Sequence, residues 1–486
     1  MSTAIQNGVG LLETRLNGCA HAHGLQNGYD IGHTDGCTNG HINGYQNGVE
    51  NGHRVDDQFL PPPLQLDDKT RAQKITTRLS DMMLGGAELR RVGAVFEREL
   101  ERGLQEEPSS LQMENTYIPE LPDGTEEGLF LALDLGGTNF RVLLLELRGG
   151  QLVREDVKQY HISDALRLGP GEDLFNFLAD CVLDFVQSEG MEKESLSLGF
   201  TFSFPMRQHS ILSGELTTWT KSFKCGGMEG VDVAALLQRC LHQRGLDVTV
   251  RVLLNDTTGT LVAGAHIDPA VGIGVILGTG SNGCYMERAD RVRHWEAAHA
   301  RVHDVCVDVE WGAFGDNGCL DFIRTDVDRE VDANSLLVAS FTFEKYIGGK
   351  YLGEVLRASL AALARDRESE RGEYAVTLRT LEGACGARLT EADARVAQHV
   401  AAVVSNRAAQ LVSVSALLRR MSRPYVVVAV DGSVYKRHPR IKSLMQRYIA
   451  LLAPEHPFSL LPAEDGSGKG SALTAAIAAR MASRSD

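Results

Sequence analysis

Residues 129–141 read LFLALDLGGTNFR, an apolar run that ends in an acid, two glycines and a set of polar side chains. This order predicts a buried strand that ends near Asp134, a tight turn at Gly136 and Gly137, and a second strand after the turn. Backbone N–H groups in such a turn can bind an anion, and the acid can hold a magnesium ion through water. By itself, the pattern also fits a plain hairpin turn without a ligand.

Strands and helices alternate on both sides of this turn. Residues 271–288 repeat the strand, glycine turn and strand in miniature, since LGTGSN echoes LGGTN, and this predicts two similar halves. Together the segments indicate an α/β architecture with mixed sheets in two lobes. Strands are predicted at 129–137, 138–147, 151–160, 196–203, 248–254 and 425–430. Helices are predicted at 67–104 with a break at 85–86, 172–187, 232–243, 336–365, 391–420 and about 471–481, and 204–219 is expected to be irregular.

The composition is that of a globular protein with sizeable cores: 486 residues, 43% hydrophobic and 23% charged. Its 49 basic and 64 acidic side chains leave a net charge of −15, which disfavours binding to nucleic acid. No apolar run approaches the roughly 18 residues that span a bilayer, and a signal-peptide pattern is absent. Nine scattered cysteines suit a reducing compartment. We therefore expect a cytoplasmic protein with no nucleic acid partner and no evident membrane anchor.

Residues 1–56 differ in composition from the rest of the chain, because the dipeptide Asn-Gly occurs there seven times. Few large apolar residues are present to offset the entropy of ordering, so we expect a disordered tail. The histidines and two cysteines between the repeats raise the alternative of a metal-binding tract. Their irregular spacing favours a tolerated repeat expansion.

Two further glycine-rich stretches resemble nucleotide-binding motifs in part. The segment GTGSNG at 278–283 fits GxGxxG, but a strand is predicted after it where a helix is required, which disfavours a Rossmann unit. The segment DGSGKGS at 465–471 lacks the first glycine of a Walker A motif. Since it opens a helix, it suits the polar part of a nucleotide, and a glycine-rich helix start explains it equally well.

Polar groups at the ends of strands are the candidates for chemistry. Asn255 and Asp256 end an apolar strand and precede a helix, so they lie at a sheet edge where α/β proteins bind ligands. Asp256 could accept a proton from a hydroxyl nucleophile, and the alternative is that it only caps the helix. With Lys221 and further hydroxyl, amide and carboxylate groups, these residues suit a polyhydroxylated neutral ligand.

Nine ordered motifs resemble the eukaryotic hexokinase family of sugar kinases, and they cover nearly the whole chain from 67 to 481 apart from the tail. Any one motif is weak, whereas their number and order make the resemblance specific. The motifs are FLALDLGGTNFR (130–141), LGFTFSFP (198–205), TWTKSF (218–223), LLNDTTGTL (253–261), LGTGSNGCYME (277–287), VEWGAFGD (309–316), FEKYIGGKYLGE (343–354), VDGSVYKRHP (430–439) and EDGSGKGSAL (464–473).

The resemblance implies the actin-like ATPase fold of the ribonuclease H-like type, with two lobes whose mixed sheets are flanked by helices. A single catalytic unit is implied. The small lobe is expected at 128–254 and the large lobe at 255–481, with N-terminal helices at 67–127 packing on the large lobe.

The resemblance also implies an activity, the ATP-dependent phosphorylation of a hexose, with glucose as the expected sugar, at the 6-hydroxyl in the first step of glycolysis. Asp256 is implied as the base that takes the hydroxyl proton, and Lys221 as the cation that stabilises the transferring phosphoryl group. ATP and Mg²⁺ are the implied cofactors, and a monomer is expected. No residue is expected to bind a metal directly, since the Mg²⁺ comes with ATP and Asp134 can hold it through water. The residues implied to surround the sugar are Ser203, Phe204, Thr220, Lys221, Asn255, Asp256, Asn282, Glu310 and Glu344. Those implied to bind the nucleotide are Asp134, Gly136, Gly137, Thr138, Asn139, Arg141, Thr279, Gly349, Lys350, Ser433, Val434, Tyr435, Lys436 and Arg437.

The chain departs from the family pattern at three places. Asp308 stands where the family usually has the Asn of an Asn-Thr pair before Glu310, and VAS at 338–340 replaces a usual Asn-Pro-Gly before Glu344. The segment 357–406 is shorter than in relatives, so no nucleotide-binding residue is transferred to it.

Two other classes of protein compete with the enzyme. A non-catalytic sugar sensor would keep the fold and bind hexose without turnover, and the presence of both Asp256 and Lys221 favours the enzyme. A filament-forming actin relative is disfavoured, because the motifs TWTKSF and VEWGAFGD would then have no purpose.

Overall fold

The computed structural model describes residues 57–485 with the exception of 137–138, 222, 294, 296–302, 369–390 and 413. The predicted disordered tail at 1–56 lies outside the described residues. The described strands, in chain order, are β1 (Glu114–Asn115), β2 (Gly128–Leu135), β3 (Asn139–Arg148), β4 (Gln151–His161), β5 (Leu196–Phe202), β6 (Met206–Ser210), β7 (Ser213–Leu216), β8 (Val248–Leu254), β9 (Val271–Leu277), β10 (Ser281–Arg288), β11 (Asp304–Asp308), β12 (Val426–Asp431) and β13 (Phe458–Pro462). The described α-helices are α1 (Lys69–Leu79), α2 (Gly86–Leu104), α3 (Asp164–Leu168), α4 (Gly171–Ser188), α5 (Val233–Gln243), α6 (Asp256–Ile267), α7 (Asp326–Ala333), α8 (Thr342–Ile347), α9 (Gly349–Glu368), α10 (Glu391–Leu411), α11 (Val414–Arg420), α12 (Ser433–Arg437), α13 (Ile441–Leu452) and α14 (Gly466–Ser485).

The first sheet has five strands in the order β4–β3–β2–β5–β8. Strands β2, β3 and β4 form the predicted antiparallel meander, and β5 and β8 extend it in parallel. The strands that face helices on both sides are continuous apolar runs, as a parallel core requires. On one face, residues of α4 and α5 such as Phe175, Leu178 and Leu237 pack against Leu133 and Phe200.

The second sheet repeats this arrangement, with the order β1–β11–β10–β9–β12–β13. Strands β9, β10 and β11 are antiparallel neighbours, and β12 and β13 continue in parallel. Five of its six strands, β11–β10–β9–β12–β13, repeat the arrangement of the first sheet, and β1 is an additional edge strand. The two similar halves predicted from the sequence are thus present. Helix α2 packs on this sheet, since Leu89 and Phe96 share one core with Ile273 and Val307.

Two helices lie between the sheets and connect them. Helix α6 follows β8 of the first sheet and packs on β9 of the second, while α14 packs on α6 and on strands of the first sheet. The helices touch through glycines, since a Cβ added at Gly470 would lie 1.9 Å from the Gly259 carbonyl oxygen. The sequence division at 254–255 assigns α14 to the large lobe, whereas its contacts include Phe130 and Leu143 of the first sheet.

Three segments differ from the sequence-based expectation. Residues 204–219, expected to be irregular, contain the antiparallel hairpin β6–β7. The helix predicted at 336–365 begins only at Thr342 and is divided into α8 and α9. The last helix begins at Gly466, five residues before the predicted start, because the carboxylate of Asp431 accepts a hydrogen bond from the Gly466 N–H.

The helical stretch Glu391–Arg420 is long and apolar enough to cross a membrane by length and composition, but 94% of its apolar window is buried inside the protein. His399 and Val400 within it are buried, and Arg407 forms a buried ion pair with Asp328 at 2.7 Å. Burial of this extent is typical of a helix in the core of a folded protein.

Candidate active site

A cleft with an empty volume of about 390 Å³ opens where the carboxyl ends of β5 and β8 meet the second sheet. All nine residues expected to surround a sugar line it, together with Pro205, Ile276, Gly280, Ser281, Gly312 and Phe341. The nine are Ser203, Phe204, Thr220, Lys221, Asn255, Asp256, Asn282, Glu310 and Glu344.

Asp256 is the first residue of α6, and the cap of this helix is its neighbour Asn255. The Asn255 side chain accepts a hydrogen bond from the Thr257 N–H at 3.0 Å, so the alternative that Asp256 serves only as the cap is wrong. The carboxylate of Asp256 lies 3.4 Å from the Lys221 ammonium, and both side chains are 14% exposed. An anion and a cation therefore stand side by side at the cleft.

Besides the contact with Asp256, a hydrogen bond of its ammonium group and a left-handed backbone conformation fix the position of Lys221. Its ammonium donates to the Ser203 carbonyl oxygen at 2.7 Å. Its backbone has φ 54°, in the left-handed region, and so does that of Glu310 with φ 51°. Such strained conformations outside glycine are uncommon and cluster at functional sites.

Ser203 gives the cleft a hydroxyl with spare hydrogen-bonding capacity. Its hydroxyl is buried and has no hydrogen-bond partner among the residues that the structure describes. The segment that carries it is rigid, because Phe204 packs edge to face on Trp219 and Phe223. A buried hydroxyl without a partner is costly unless a ligand supplies one.

The acids of the cleft have raised pKa values. Burial, reinforced by the charges of Asp308 and Asp256, holds the pKa of Glu310 well above its ordinary value. Burial also raises the pKa of Glu344, against the opposing charge of Lys221. Clustered perturbed carboxyl groups in a cleft are typical of functional sites.

A second group of polar residues surrounds the N-terminus of α14. Arg141 forms ion pairs with Asp134 and with Asp465, and the Ser467 hydroxyl donates to Asp134 at 2.7 Å. Gly136 is described, while Gly137, Thr138 and the side chain of Asn139 lie outside the described residues. The positive N-terminal end of the 20-residue helix α14 and the guanidinium of Arg141 thus both lie beside Asp134. A helix N-terminus, a cation and a carboxylate in one place suit a bound anion together with the metal ion that accompanies it.

The second glycine turn contacts the start of α9. The Gly349 N–H donates to the Gly278 carbonyl at 2.8 Å, and the Lys350 N–H donates to the Thr279 carbonyl at 2.9 Å. A Cβ at Gly349 would lie 2.6 Å from the Gly278 oxygen, so only glycine allows this approach. The structure therefore brings together the predicted residues Thr279, Gly349 and Lys350.

The predicted residues 433–437 form the short helix α12 after β12. Tyr435 is 2% exposed, so its side chain belongs to the core of the second lobe. Lys436 pairs with Asp431 at 2.6 Å, whereas the side chains of Ser433 and Arg437 are exposed. The surface that these residues offer a ligand is thus polar and basic.

Four further residues complete these groups, and none of them is among the site residues expected from the sequence. Asp308 accepts hydrogen bonds below the sugar cleft, and Asp431, Asp465 and Ser467 lie around the start of α14. The available signals for Asp431, Asp465 and Ser467 were the motifs VDGSVYKRHP and EDGSGKGSAL, in which the two acids precede glycines. Asp308 lies just before the motif VEWGAFGD. A two-lobed α/β protein with an acid-lined cleft beside a glycine-rich anion site has the layout of a sugar kinase.

Comparisons with known proteins agree with this layout. Residues 74–266 match one sequence model of the hexokinase family, and residues 272–382 and 366–477 match a second. The solved structure of a hexokinase from Schistosoma mansoni, complexed with glucose, superposes with a TM-score of 0.78 and 34% identity, over 85% of this chain and 100% of that one. The chain belongs to the hexokinase family.

Curated relatives include Hexokinase-2 and Hexokinase-3 of Homo sapiens. Hexokinase-2 is 40% identical over 455 residues, or 86% of this chain and 49% of the relative. Hexokinase-3 is 39% identical over 437 residues, or 83% of this chain and 47% of the relative. The chain spans about half the length of the curated relatives it matches.

Proposed function

We propose that this protein transfers the γ-phosphoryl group of MgATP to the 6-hydroxyl of a hexose, with glucose as the expected sugar. The observation that carries the proposal is the gathering of all nine expected sugar residues in one cleft, with the carboxylate of Asp256 beside the ammonium of Lys221. The relative from Schistosoma mansoni was solved in complex with glucose, which supports the choice of sugar.

The cleft supplies several acceptors and donors for the hydroxyl groups of a hexose. The Ser203 hydroxyl has no partner among the described residues, Asn282 presents a buried amide, and Glu310 and Glu344 present carboxyl oxygens. A site that hydrogen-bonds each hydroxyl rejects ligands that lack them, because the buried polar groups would stay unpaired. This arrangement supports a polyhydroxylated sugar over an apolar ligand.

Asp256 and Lys221 divide the chemical step between them. The carboxylate of Asp256 takes the proton from the sugar hydroxyl while the hydroxyl oxygen bonds to the γ-phosphorus and the bond to ADP breaks. Lys221, 3.4 Å away, places a positive charge where the transferring phosphoryl group gains negative charge. Phosphoryl transfer depends on such positioning and charge stabilisation more than on covalent help.

The residues around α14 and the second glycine turn are proposed to bind MgATP. Mg²⁺ prefers oxygen ligands and keeps several waters, and the carboxylates of Asp134, Asp431 and Asp465 supply such oxygens. Phosphates suit the start of α14 and the turn at Thr279, where glycines leave room for a backbone approach.

A cytoplasmic location and a monomeric state belong to the same proposal. The described free cysteines support a reducing compartment, since Cys181, Cys225, Cys240, Cys284 and Cys306 are buried thiols and Cys319 is partly buried. Cell fractionation and sedimentation of the full chain test these two points.

The test of the activity is a coupled assay of ADP release with glucose, fructose, mannose and galactose at fixed MgATP. We expect turnover that requires sugar, with glucose among the substrates. Hexose binding by calorimetry without turnover would identify the sugar sensor in place of the enzyme. Absence of both binding and turnover would contradict any sugar-directed function.

A further inference from the structure

An aromatic ring without an assigned role lines the sugar cleft at Phe341. A second ring that lines the cleft, that of Phe204, is fully buried and packs in the core on Trp219 and Phe223. Phe341 is only half-buried, so part of its side chain stays open. Most of the other side chains that line the cleft carry hydroxyl, amide, ammonium or carboxylate groups. The ring of Phe341 is therefore an apolar surface within a polar wall.

This ring lies between the segments that carry Glu310 and Glu344. A Cβ added at Gly312, two residues after Glu310, would lie 3.1 Å from Cδ1 of the Phe341 ring and 3.7 Å from Cβ of Glu344. Carbon atoms in contact stay about 3.5–4.0 Å apart, so the ring fills the space that a side chain at this position would need. The ring thus belongs to the same part of the wall as the two acids expected to bind sugar hydroxyls.

Hydrogen bonds hold the backbone of Phe341 in a conformation that few residues adopt. Its φ of 56° lies in the left-handed region. The N–H groups of Phe341 and Thr342 donate to the carboxylate of Asp316 at 2.9 Å and 2.8 Å. Strain at a bulky residue persists only where the surrounding structure fixes it, and it is common at ligand sites. Because Asp316 already binds both N–H groups, neither is free to donate to a sugar.

The loop that leads into Phe341 is fixed as well. The Ala339 N–H donates to the carboxylate of Asp332 at 3.0 Å, and Ala339 too has a left-handed backbone, with φ 57°. The chain departs from the family pattern at 338–340, so the usual loop is replaced directly before the ring. The ring is thus presented to the cleft by a well-anchored segment.

The chemistry of the ring sets what it can recognise. A phenyl ring has no hydrogen-bond donor or acceptor of the ordinary kind, so a hydroxyl pressed against it loses water without gaining a partner there. A C–H group packs against the same surface favourably. A site discriminates strongly against the loss of a hydroxyl only where it binds that hydroxyl with a polar group. We therefore expect the cleft to discriminate unevenly among the hydroxyl groups of a hexose.

We propose that Phe341 is a specificity-determining residue whose ring packs on the C–H face of one carbon of the bound hexose. The inference rests on the proposed hexose kinase function of the cleft. At that carbon the protein accepts a deoxy sugar at least as readily as glucose. At the positions bound by polar groups such as Asn282, Glu310 and Glu344, loss of the hydroxyl is penalised. The substrates thus include a hexose that lacks the single hydroxyl beside the ring.

The first experiment compares kcat/KM for glucose with that for its 1-, 2-, 3- and 4-deoxy analogues in the wild type at fixed MgATP. We expect one analogue to be used at least as well as glucose. The other three should be used at least about tenfold less well, since each leaves a buried polar group unpaired. A loss of more than about threefold at all four positions would overturn the proposal, and so would equal use of all four analogues.

Two variants test whether Phe341 is the cause. Phe341→His keeps a flat ring, adds nitrogen atoms that donate and accept, and suits the left-handed backbone. Near pH 8, where imidazole is mostly neutral, we expect the use of the favoured analogue relative to glucose to fall about fivefold, with the other three ratios within about twofold of the wild type. Phe341→Leu is the matched control, because it keeps an apolar side chain, and all its ratios stay within about twofold of the wild type. Unchanged ratios in Phe341→His, or the same fall in Phe341→Leu, would contradict the assignment.

A third measurement uses the wild type alone and does not depend on the folding of a variant. Saturation-transfer NMR, with irradiation of the aromatic protons of the protein, reports which C–H protons of bound glucose lie against a ring. We expect the strongest transfer at the carbon whose deoxy analogue is favoured, and strongest transfer at another carbon would contradict the packing. Turnover of glucose without a favoured analogue overturns this inference alone, whereas absence of glucose binding and turnover overturns the proposed function as well.

Discussion

Asn255 determines what its neighbour Asp256 can do. Because the Asn255 side chain caps α6, the Asp256 carboxylate is left to face the cleft and Lys221. The same side chain donates to Glu310, so a single residue caps the start of the helix and orients an acid of the second lobe. The residue that caps α6 therefore also determines part of the geometry of the cleft.

Ser203→Ala tests whether the unpartnered hydroxyl is reserved for the sugar. The change removes a buried group that has no partner in the described part of the chain, so the thermal midpoint stays close to that of the wild type. One lost hydrogen bond, worth about 1 kcal/mol, raises the KM for glucose about fivefold. Ser359→Ala, whose hydroxyl bonds within α9, is the control and leaves the KM unchanged. An unaltered KM in Ser203→Ala counts against the proposed contact.

The sequence alone predicts the site residues that lie inside motifs. It does not predict residues whose role depends on contacts between segments far apart in the chain. Asp256, Lys221 and Glu310 follow from their motifs, and all three line the cleft. The bond from Ser467 to Asp134 joins positions 333 residues apart, and no local pattern reports such a contact. Asp308 was noticed only as a departure from a pattern, because its contacts to Asn282 cross between strands.

The crossing of α6 and α14 is the contact on which the site depends. Both helices begin at residues that we propose to face ligands, Asp256 in one case and the Asp465–Ser467 region in the other. Their backbones meet at Gly259 and Gly470, where only residues without a Cβ allow so close an approach. These two glycines therefore determine how far the cleft beside Asp256 lies from the polar group at the start of α14.

Gly470→Ala is expected to separate these helices. The added Cβ would lie 1.9 Å from the Gly259 oxygen, which is backbone and cannot move aside cheaply. We expect the free energy of unfolding to fall by about 3 kcal/mol in urea denaturation, with a matching loss of activity. Gly226→Ala is the control, because nothing lies within 4 Å of its Cβ and its φ is not in the left-handed region. Equal stability of the two variants would contradict a glycine-dependent crossing.

The strands were predictable because they are apolar runs between glycine turns, whereas the breaks in helices were not. Phe341 has φ 56°, and the N–H groups of Phe341 and Thr342 are bound by Asp316, about 25 residues away in sequence. Helix α8 therefore starts where a distant side chain satisfies its first donors, although the apolar periodicity begins earlier. Tertiary contacts of this kind outweigh local pattern.

The cleft is assembled from both halves of the molecule. Ser203, Thr220 and Lys221 follow strand β5 of the first sheet, while Asn282, Glu310 and Glu344 come from elements on the second. In the proposed reaction, water at about 55 M competes with the sugar for the γ-phosphate, so a site completed only by sugar would gain specificity.

A hexose that bridges both sets should draw the lobes together. We expect glucose to lower the radius of gyration in small-angle scattering, MgATP alone to lower it much less, and ATP hydrolysis without sugar to be slow. Equal radii with and without saturating glucose, together with brisk sugar-free hydrolysis, would exclude closure as the source of specificity.

The most direct test of the central claim is the comparison of Asp256→Asn with the wild type in turnover and in glucose binding. The amide keeps the shape of the side chain and cannot take a proton. We predict a kcat lower by about 10²–10⁴-fold, with a glucose Kd within about fivefold of the wild type. A variant that keeps a tenth of the wild-type kcat would show that Asp256 is not the base.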